Sequence, residues 1–266
     1  CDRLDLIESA PAPCVFVGQP TEVSALQKAR AMKPALDQKV GVTLSFFCAG
    51  SPARKSTVEL LKAMGVEPSQ VQDLRYRGNG WPGQFAVTMK GQSSPSHFRT
   101  YKESWGFIQA YRSFSVHLCP DGTGEDADIS CGDPWYREVK PGEPGSSLVV
   151  VRTERGRRIL QGAIAAGYVD LQPAEPWKLL RSQEGLFEKR GAIWGRIATL
   201  HALGLPAPKL KGFSLFHNWR RLSFEDKLRS TFGTVRRIVQ RKYFKPLRLD
   251  PATESLRSEA GAEKPR

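Results

Sequence analysis

The sequence predicts an α/β fold with a mostly parallel sheet, an inserted hairpin and a helical, basic C-terminal region. Three observations carry that prediction. Two short apolar runs, residues 14–18 and 39–48, alternate with segments of helical period, which is the rhythm of a βαβ unit. Two strand-like runs, 71–77 and 84–90, flank a glycine-rich turn, which is the pattern of a hairpin. Between His217 and Arg248, ten lysines and arginines face only two acids, Glu225 and Asp226. The net charge of +13 is therefore concentrated near the C-terminus and describes a region more than a fold.

In chain order, Cys14-Val15-Phe16-Val17-Gly18 reads as a buried strand. A helix is expected over 21–32, with Val23, Leu26, Ala29 and Met32 on one face and Thr21 as its N-cap. A second strand (39–48) and a second helix (55–64, closed by Gly65) complete the unit. The hairpin follows, then a helix over 101–113. Further on come a strand at 148–152, a helix at 154–166 and a short strand at 169–171. Helices are expected at 177–188, 192–203 and 224–243. The last of these carries Leu228, Phe232, Val235 and Val239 on one face. Residues 1–172 form the expected α/β domain, 173–249 the helical basic region and 250–266 a polar, disordered tail.

Composition narrows the function classes. At 266 residues and 40% hydrophobic content, the chain is long enough for a sizeable core. The longest apolar run (40–49) falls short of the ~20 residues of a membrane span, and the N-terminus lacks a signal segment. The chain opens on Cys1 rather than Met, as expected of a fragment or processed product. Five scattered cysteines (Cys1, Cys14, Cys48, Cys119, Cys131) argue against a disulfide scaffold and for a reducing, cytoplasmic setting. There is no Gly-x-Ser-x-Gly elbow and no P-loop lysine, which disfavours hydrolase and nucleoside-triphosphatase chemistry.

Three stretches hold candidate chemistry. Gly78-x-Gly80-x-x-Gly83 matches a dinucleotide fingerprint as a string, but strand-like residues follow it where a helix is required, which excludes a Rossmann reading. Arg75, Arg77 and the backbone of Gly78 and Gly80 suit a phosphate and a flat ring, and suit a plain hairpin equally. The acids of 121–133 do not form an EF-hand, whose sixth position needs glycine where Asp126 stands. Cys48, Cys119, Cys131 and His117 are metal-ligand types, but no Cys-x-x-Cys pair exists, so a metal site and inert buried thiols both stay open. The basic helix suits an acidic partner or an anionic membrane surface, and nothing points strongly to nucleic acid.

Taken together, several motifs occur in one order: Val17-Gly18-Gln19-Pro20, Phe47-Cys48-Ala49-Gly50, Arg75-Tyr76-Arg77-Gly78-Asn79-Gly80-Trp81-Pro82-Gly83, Ser104-Trp105-Gly106, Cys119-Pro120-Asp121-Gly122-Thr123-Gly124-Glu125, Gly132-Asp133-x-Trp135 and Val151-Arg152-Thr153. This series resembles the coenzyme F420 hydrogenase/dehydrogenase beta-subunit family, from about Cys14 to Leu171. The resemblance implies a flavin- and iron–sulfur-dependent oxidoreductase that holds FAD and a 4Fe–4S cluster and exchanges electrons with a redox partner protein or a deazaflavin such as coenzyme F420. It implies Gly18, Arg75, Arg77, Gly78 and Gly80 as cofactor-binding residues, and Cys48, Cys119 and Cys131 as metal ligands. Asp121, Glu125 and Asp128 would shape the surrounding loop. Two family cysteines are replaced here by Thr21 and Val116, leaving Cys131, Cys1 or His117 to complete the cluster. The alternative is a cluster-less, non-catalytic binding or assembly module of the same fold.

Overall fold

The computed structural model describes residues 4–140 and 142–245. Cys1, Arg248 and the expected tail at 250–266 lie outside them. After α1 (Leu4–Glu8), the chain forms β1 (Cys14–Gly18), α2 (Pro20–Met32), α3 (Pro34–Lys39), β2 (Val40–Phe46) and α4 (Arg54–Ala63). An antiparallel unit follows: β3 (Val71–Arg75), β4 (Gln84–Met89) and β5 (His97–Thr100), then α5 (Tyr101–Ile108). Next come β6 (Ile129–Gly132), β7 (Leu148–Val151) and α6 (Glu154–Ala165). The C-terminal region is helical: α7 (Pro176–Ser182), α8 (Glu184–Ala202), α9 (Leu215–Arg220) and α10 (Phe224–Gln240).

The main sheet has the order β1-β2-β6-β7, with β1, β2 and β6 parallel and β7 antiparallel at the edge. The expected mostly parallel sheet is present, and so are the inserted hairpin and the helical C-terminal region. The inserted unit is larger than expected, because β5 adds a third strand to β4, with Val87 opposite His97 and Gln84 opposite Thr100. Its sequence, His-Phe-Arg-Thr, is largely exposed, so no apolar alternation marks it.

Packing follows the elements. Leu60 and Leu61 of α4, with Val66 just beyond it, meet Phe85 and Val87 of β4 and Ile108 of α5. Ile7, Leu26, Leu36 and Val40 fill the space between α1, α2, α3 and β2. Leu118, Leu200 and Ile238 tie the C-terminal helices to the α/β body.

Several local expectations need correction. Helix α2 begins at Pro20 with Gln19, not Thr21, at its N-cap, and Glu22 Oε2 accepts from the Gln19 backbone N–H at 2.7 Å. The helix expected over 101–113 ends at Ile108 and continues as a 3-10 turn to Tyr111. Residues 169–171 form no strand, as the chain there runs exposed toward Pro173. The gap expected in the helix near residue 190 is absent, and α8 runs unbroken from Glu184 to Ala202. Its glycines serve close approach: a Cβ at Gly191 would come within 2.8 Å of Leu222, and one at Gly195 would overlap Ser230.

The acid-rich loop before β6 is bolted to the sheet. Buried Asp121 accepts from the backbone N–H groups of Thr123, Gly124 and Glu125 at 2.8–2.9 Å, and Arg190 pairs with Glu125. Buried Asp128 accepts from the Thr43 N–H (2.8 Å) and hydroxyl (2.9 Å) and from the Thr153 hydroxyl (2.5 Å). Burial opposes its ionisation, but the bonds from Thr153 and Thr43 and the charge of Arg155 outweigh burial and hold its pKa below the usual carboxylate range. A folded pKa below the unfolded one contributes stability above the unfolded value of about 3.9, lost as pH falls through the folded value. Asp128→Ala strands buried donors and should destabilise the fold by about 2–4 kcal/mol. Urea titrations of both proteins should show that gap at pH 7 and a narrowing of it below about pH 4.

Candidate functional site

Ligand crevices in parallel sheets open at the carboxyl ends of the strands. Here β1, β2 and β6 end in Gly18, Phe46 and Gly132, and the segments that follow them build two adjacent features: a cleft and a thiol corner.

The cleft forms where the turn after β3 meets the segment after β6. Arg77 reaches across to Asp133 through two parallel bonds of 2.9 and 3.1 Å and donates its Nε–H to the Pro82 carbonyl at 3.0 Å. Trp81 Nε1 donates to the same carboxylate at 3.2 Å. The turn itself needs glycine. Gly78 sits at φ +128°, and a Cβ on Gly83 would strike the backbone of Gly78. An aromatic wall stands beside it: Trp81 and Trp135 have ring centroids 4.8 Å apart, and Tyr101 and Trp135 5.3 Å. Arg77 lies over Tyr101 at 5.3 Å, and Arg137 over Trp81 at 5.0 Å. Burial raises the pKa of Tyr101 despite the Arg77 charge, so its hydroxyl stays protonated at neutral pH. The opening is about 390 Å³ and is lined by Gly78, Gly80, Trp81, Asp133 and Ser146.

Of the five expected cofactor residues, Arg77, Gly78 and Gly80 line this cleft. Arg77 is already engaged by Asp133, so it acts as a clamp. Arg75 is exposed beside the turn, its Cδ lying 3.1 Å from where a Cβ on Gly78 would stand. Gly18 stands elsewhere, at the end of β1 next to Gln19 of the thiol corner.

In the thiol corner, the Cys48 N–H donates to the Gly122 carbonyl (2.8 Å), its sulfur accepts from the Gly50 N–H (3.2 Å), and its thiol reaches the Gln19 side-chain oxygen (3.6 Å). The Cys119 thiol donates to the Asp121 carbonyl at 3.1 Å. Gly50, at φ +115°, is pressed against Val116 so closely that a Cβ would overlap that side chain. Cations surround the pair. Lys189 Nζ donates to the Ala49 carbonyl at 3.1 Å, and Arg196 Nη1 to the His117 carbonyl at 2.6 Å. Burial pushes the Cys119 thiol up, and the nearby Cys48 adds to that against Lys189. Burial also pushes Lys189 down. His117 falls to about 4, first from burial and then from Arg196, Arg237, Lys189 and Arg112, so it is neutral at pH 7.

These groups fit a metal poorly. Among the described residues, no group of three or more His, Cys, Asp or Glu side chains is placed to hold an ion. Cys48 and Cys119 are neighbours, whereas Cys131 sits on β6 opposite Phe46 with its thiol pushed up by burial alone. The expected trio of Cys48, Cys119 and Cys131 is therefore not assembled as a ligand set. Val116 fills a position where a third thiol is expected, and exposed Thr21 stands at another.

Asp133 and Trp135 stand in the Gly-Asp-x-Trp motif without a role legible from sequence, and Tyr101, Lys189 and Arg196 are absent from the expected site residues. Only the Gly-Asp-x-Trp spacing signalled the first pair. The cations come from elements remote in sequence and left no local mark.

The comparisons agree with this architecture. The family profile that describes the C terminus of the coenzyme F420 hydrogenase/dehydrogenase beta subunit matches residues 13–176. A 113-residue stretch is 34% identical to the coenzyme F420 hydrogenase subunit beta of Methanothermobacter thermautotrophicus, covering 40% of this chain and 35% of that protein. The match thus spans about a third of that relative's length. A chain of the F420-reducing NiFe hydrogenase complex from Methanosarcina barkeri shares the fold, with a TM-score of 0.56 at 21% identity over 77% of this chain and 70% of that one. No helix among the described residues is long and apolar enough to cross a membrane. With its profile match covering more than half of its length, the chain belongs to the coenzyme F420 hydrogenase/dehydrogenase beta-subunit family.

Proposed function

We propose that the chain is the flavin-binding part of a cytoplasmic oxidoreductase, exchanging electrons with a redox partner protein or a deazaflavin such as coenzyme F420, and that its described residues hold no iron–sulfur cluster. The observation that carries this reading is the cleft, where a glycine turn clamped by Arg77 and Asp133 meets Trp81 of the aromatic wall, with exposed Arg75 beside it, within the family-matched segment. The residues present suit FAD. Backbone N–H groups at Gly78 and Gly80 and the free head of Arg75 suit its phosphates, and the Trp135 and Tyr101 rings suit a flat ring system. When bound, FAD would supply two-electron hydride chemistry. The chain's own part is to orient and to exclude water. The Arg77–Asp133 pair fixes the turn, Asp133 holds Trp81 through its indole N–H, and the rings dry the wall.

The cluster-less, non-catalytic module is the competing reading, and FAD binding separates the two. Fluorescence titration should give saturable FAD binding. Trp135→Ala should weaken it roughly tenfold by removing one stacking face, while Thr21→Ala, at the exposed start of α2, should leave it unchanged. Absence of saturable binding by the unaltered chain would favour the non-catalytic module.

A second reading concerns α10. Its buried face is Ser230, Thr234 and Ile238, so the apolar stripe expected on the helix points mostly outward: Phe224 is 76%, Phe232 67% and Val239 60% exposed. Arg236 borders the stripe on the exposed side, as does Arg229, which is ion-paired with Glu225 and Asp226. We infer that this helix rests on an anionic membrane surface, apolar stripe inward and arginines toward headgroups. Co-sedimentation with phosphatidylserine vesicles should fall at least about tenfold in Phe232→Ser, which removes buried apolar area. Equal sedimentation of both proteins would refute the contact.

A further inference from the structure

A cavity of about 220 Å³ lies between α8 and α10, outside the family-matched residues. Lys189, Arg196, Arg229 and Arg237 line it. Arg229 is answered on its own helix by Glu225 at 2.5 Å and Asp226 at 3.1 Å. Two carboxylates also line it: Asp226, already paired with Arg229, and the solvent-exposed Glu188. The other three cations have no carboxylate partner among the described residues. Lys189 has one backbone carbonyl, Arg196 has one, and two guanidinium nitrogens, Arg196 Nε and Arg237 Nη1, are buried with no hydrogen-bond partner at all.

Such an arrangement is costly by itself. Taking part of an ion's hydration away without a counter-charge is unfavourable, and neighbouring like charges add repulsion. Burial, then the charge of Arg237, pushes Arg196 down to about 10, which still leaves it cationic at neutral pH. The neighbouring His117 is neutral and offers no counter-charge. Unsatisfied buried polar atoms are rare in folded proteins and call for an explanation. Here Arg196 and Arg237 line a space large enough for a small anion, and guanidinium forks match tetrahedral oxyanions.

The geometry points to a binding site for a phosphoryl group, held by Arg196 and Arg237 with Lys189 as a third cation. This site stands apart from the flavin cleft and does not depend on it. The same chemistry reaches it from two sources, a free phosphate ester or a phospholipid headgroup presented beside α10.

Calorimetric titration of the full chain with inorganic phosphate and with glycerol 3-phosphate, and co-sedimentation with phosphatidic acid vesicles, test the site. Saturable binding is expected, weakened about tenfold or more in Arg237→Gln and in Arg196→Gln, with FAD affinity unchanged in both. Arginine-dependent binding of the soluble anions identifies a free ester as ligand. Arginine-dependent binding seen only with vesicles identifies the headgroup. The inference is overturned if the unaltered chain binds none of the three probes, a result that needs no variant to fold. It is equally overturned if both variants bind as tightly as the unaltered chain.

Discussion

The pairing of Arg77 with Asp133 is the constraint on which the site depends. It is the point where the antiparallel unit, through the turn after β3, is fastened to the end of β6 in the main sheet. Charged hydrogen bonds of this kind are worth about 1.5–3 kcal/mol each where they are shielded from water, and this one is only partly buried. Its importance is geometric. Asp133 holds both Arg77 and the Trp81 indole, so one carboxylate sets the turn, the aromatic wall and the width of the cleft between them. The bolts at Asp121 and Asp128 serve the same end from the other side, since they fix the loop that leads into β6.

Beside that cleft stands the thiol corner. The resemblance implies thiolate ligands there, and the structure brings together two thiols, a valine packed on a glycine, and a ring of cations. Thiolate clusters carry negative charge, and so would a ligand drawn to Lys189 and Arg196. The electrostatic preference of the corner is therefore for an anionic occupant. Helix α8 links the two ideas, because Lys189 faces the thiols and Arg196 lines the cavity beyond them.

Much of the fold was legible. The βαβ opening was marked by apolar runs at 14–18 and 39–48 with helical spacing between them, and the Gly78–Gly83 turn announced the hairpin because its glycines take backbone angles other residues avoid. Strand β5 was invisible because it is exposed and polar, so only its pairing with β4 defines it. The unbroken course of α8 was hidden at Gly191, which falls in the gap expected between the two helices and acts in space as a contact point against Leu222. Of the site, the glycines and Arg77 were legible from a local motif. The role of Arg77 was not, because Asp133 is remote in sequence. The thiols could be counted from sequence, but whether three of them meet is a property of the folded chain. The apolar stripe of α10 was found correctly, yet its outward orientation follows from small residues, Ser230 and Thr234, packing against α8.

The most direct test is the ultraviolet–visible spectrum of the anaerobically purified chain after incubation with FAD, iron and sulfide, with excess reagents removed. The account predicts retained flavin absorption without the broad shoulder near ~400 nm that thiolate-ligated clusters give. A featureless spectrum would contradict the flavin assignment. A flavin spectrum with that shoulder, abolished in Cys48→Ser or Cys119→Ser, would show that the thiol corner does assemble a cluster and would contradict the proposal that the described residues hold none.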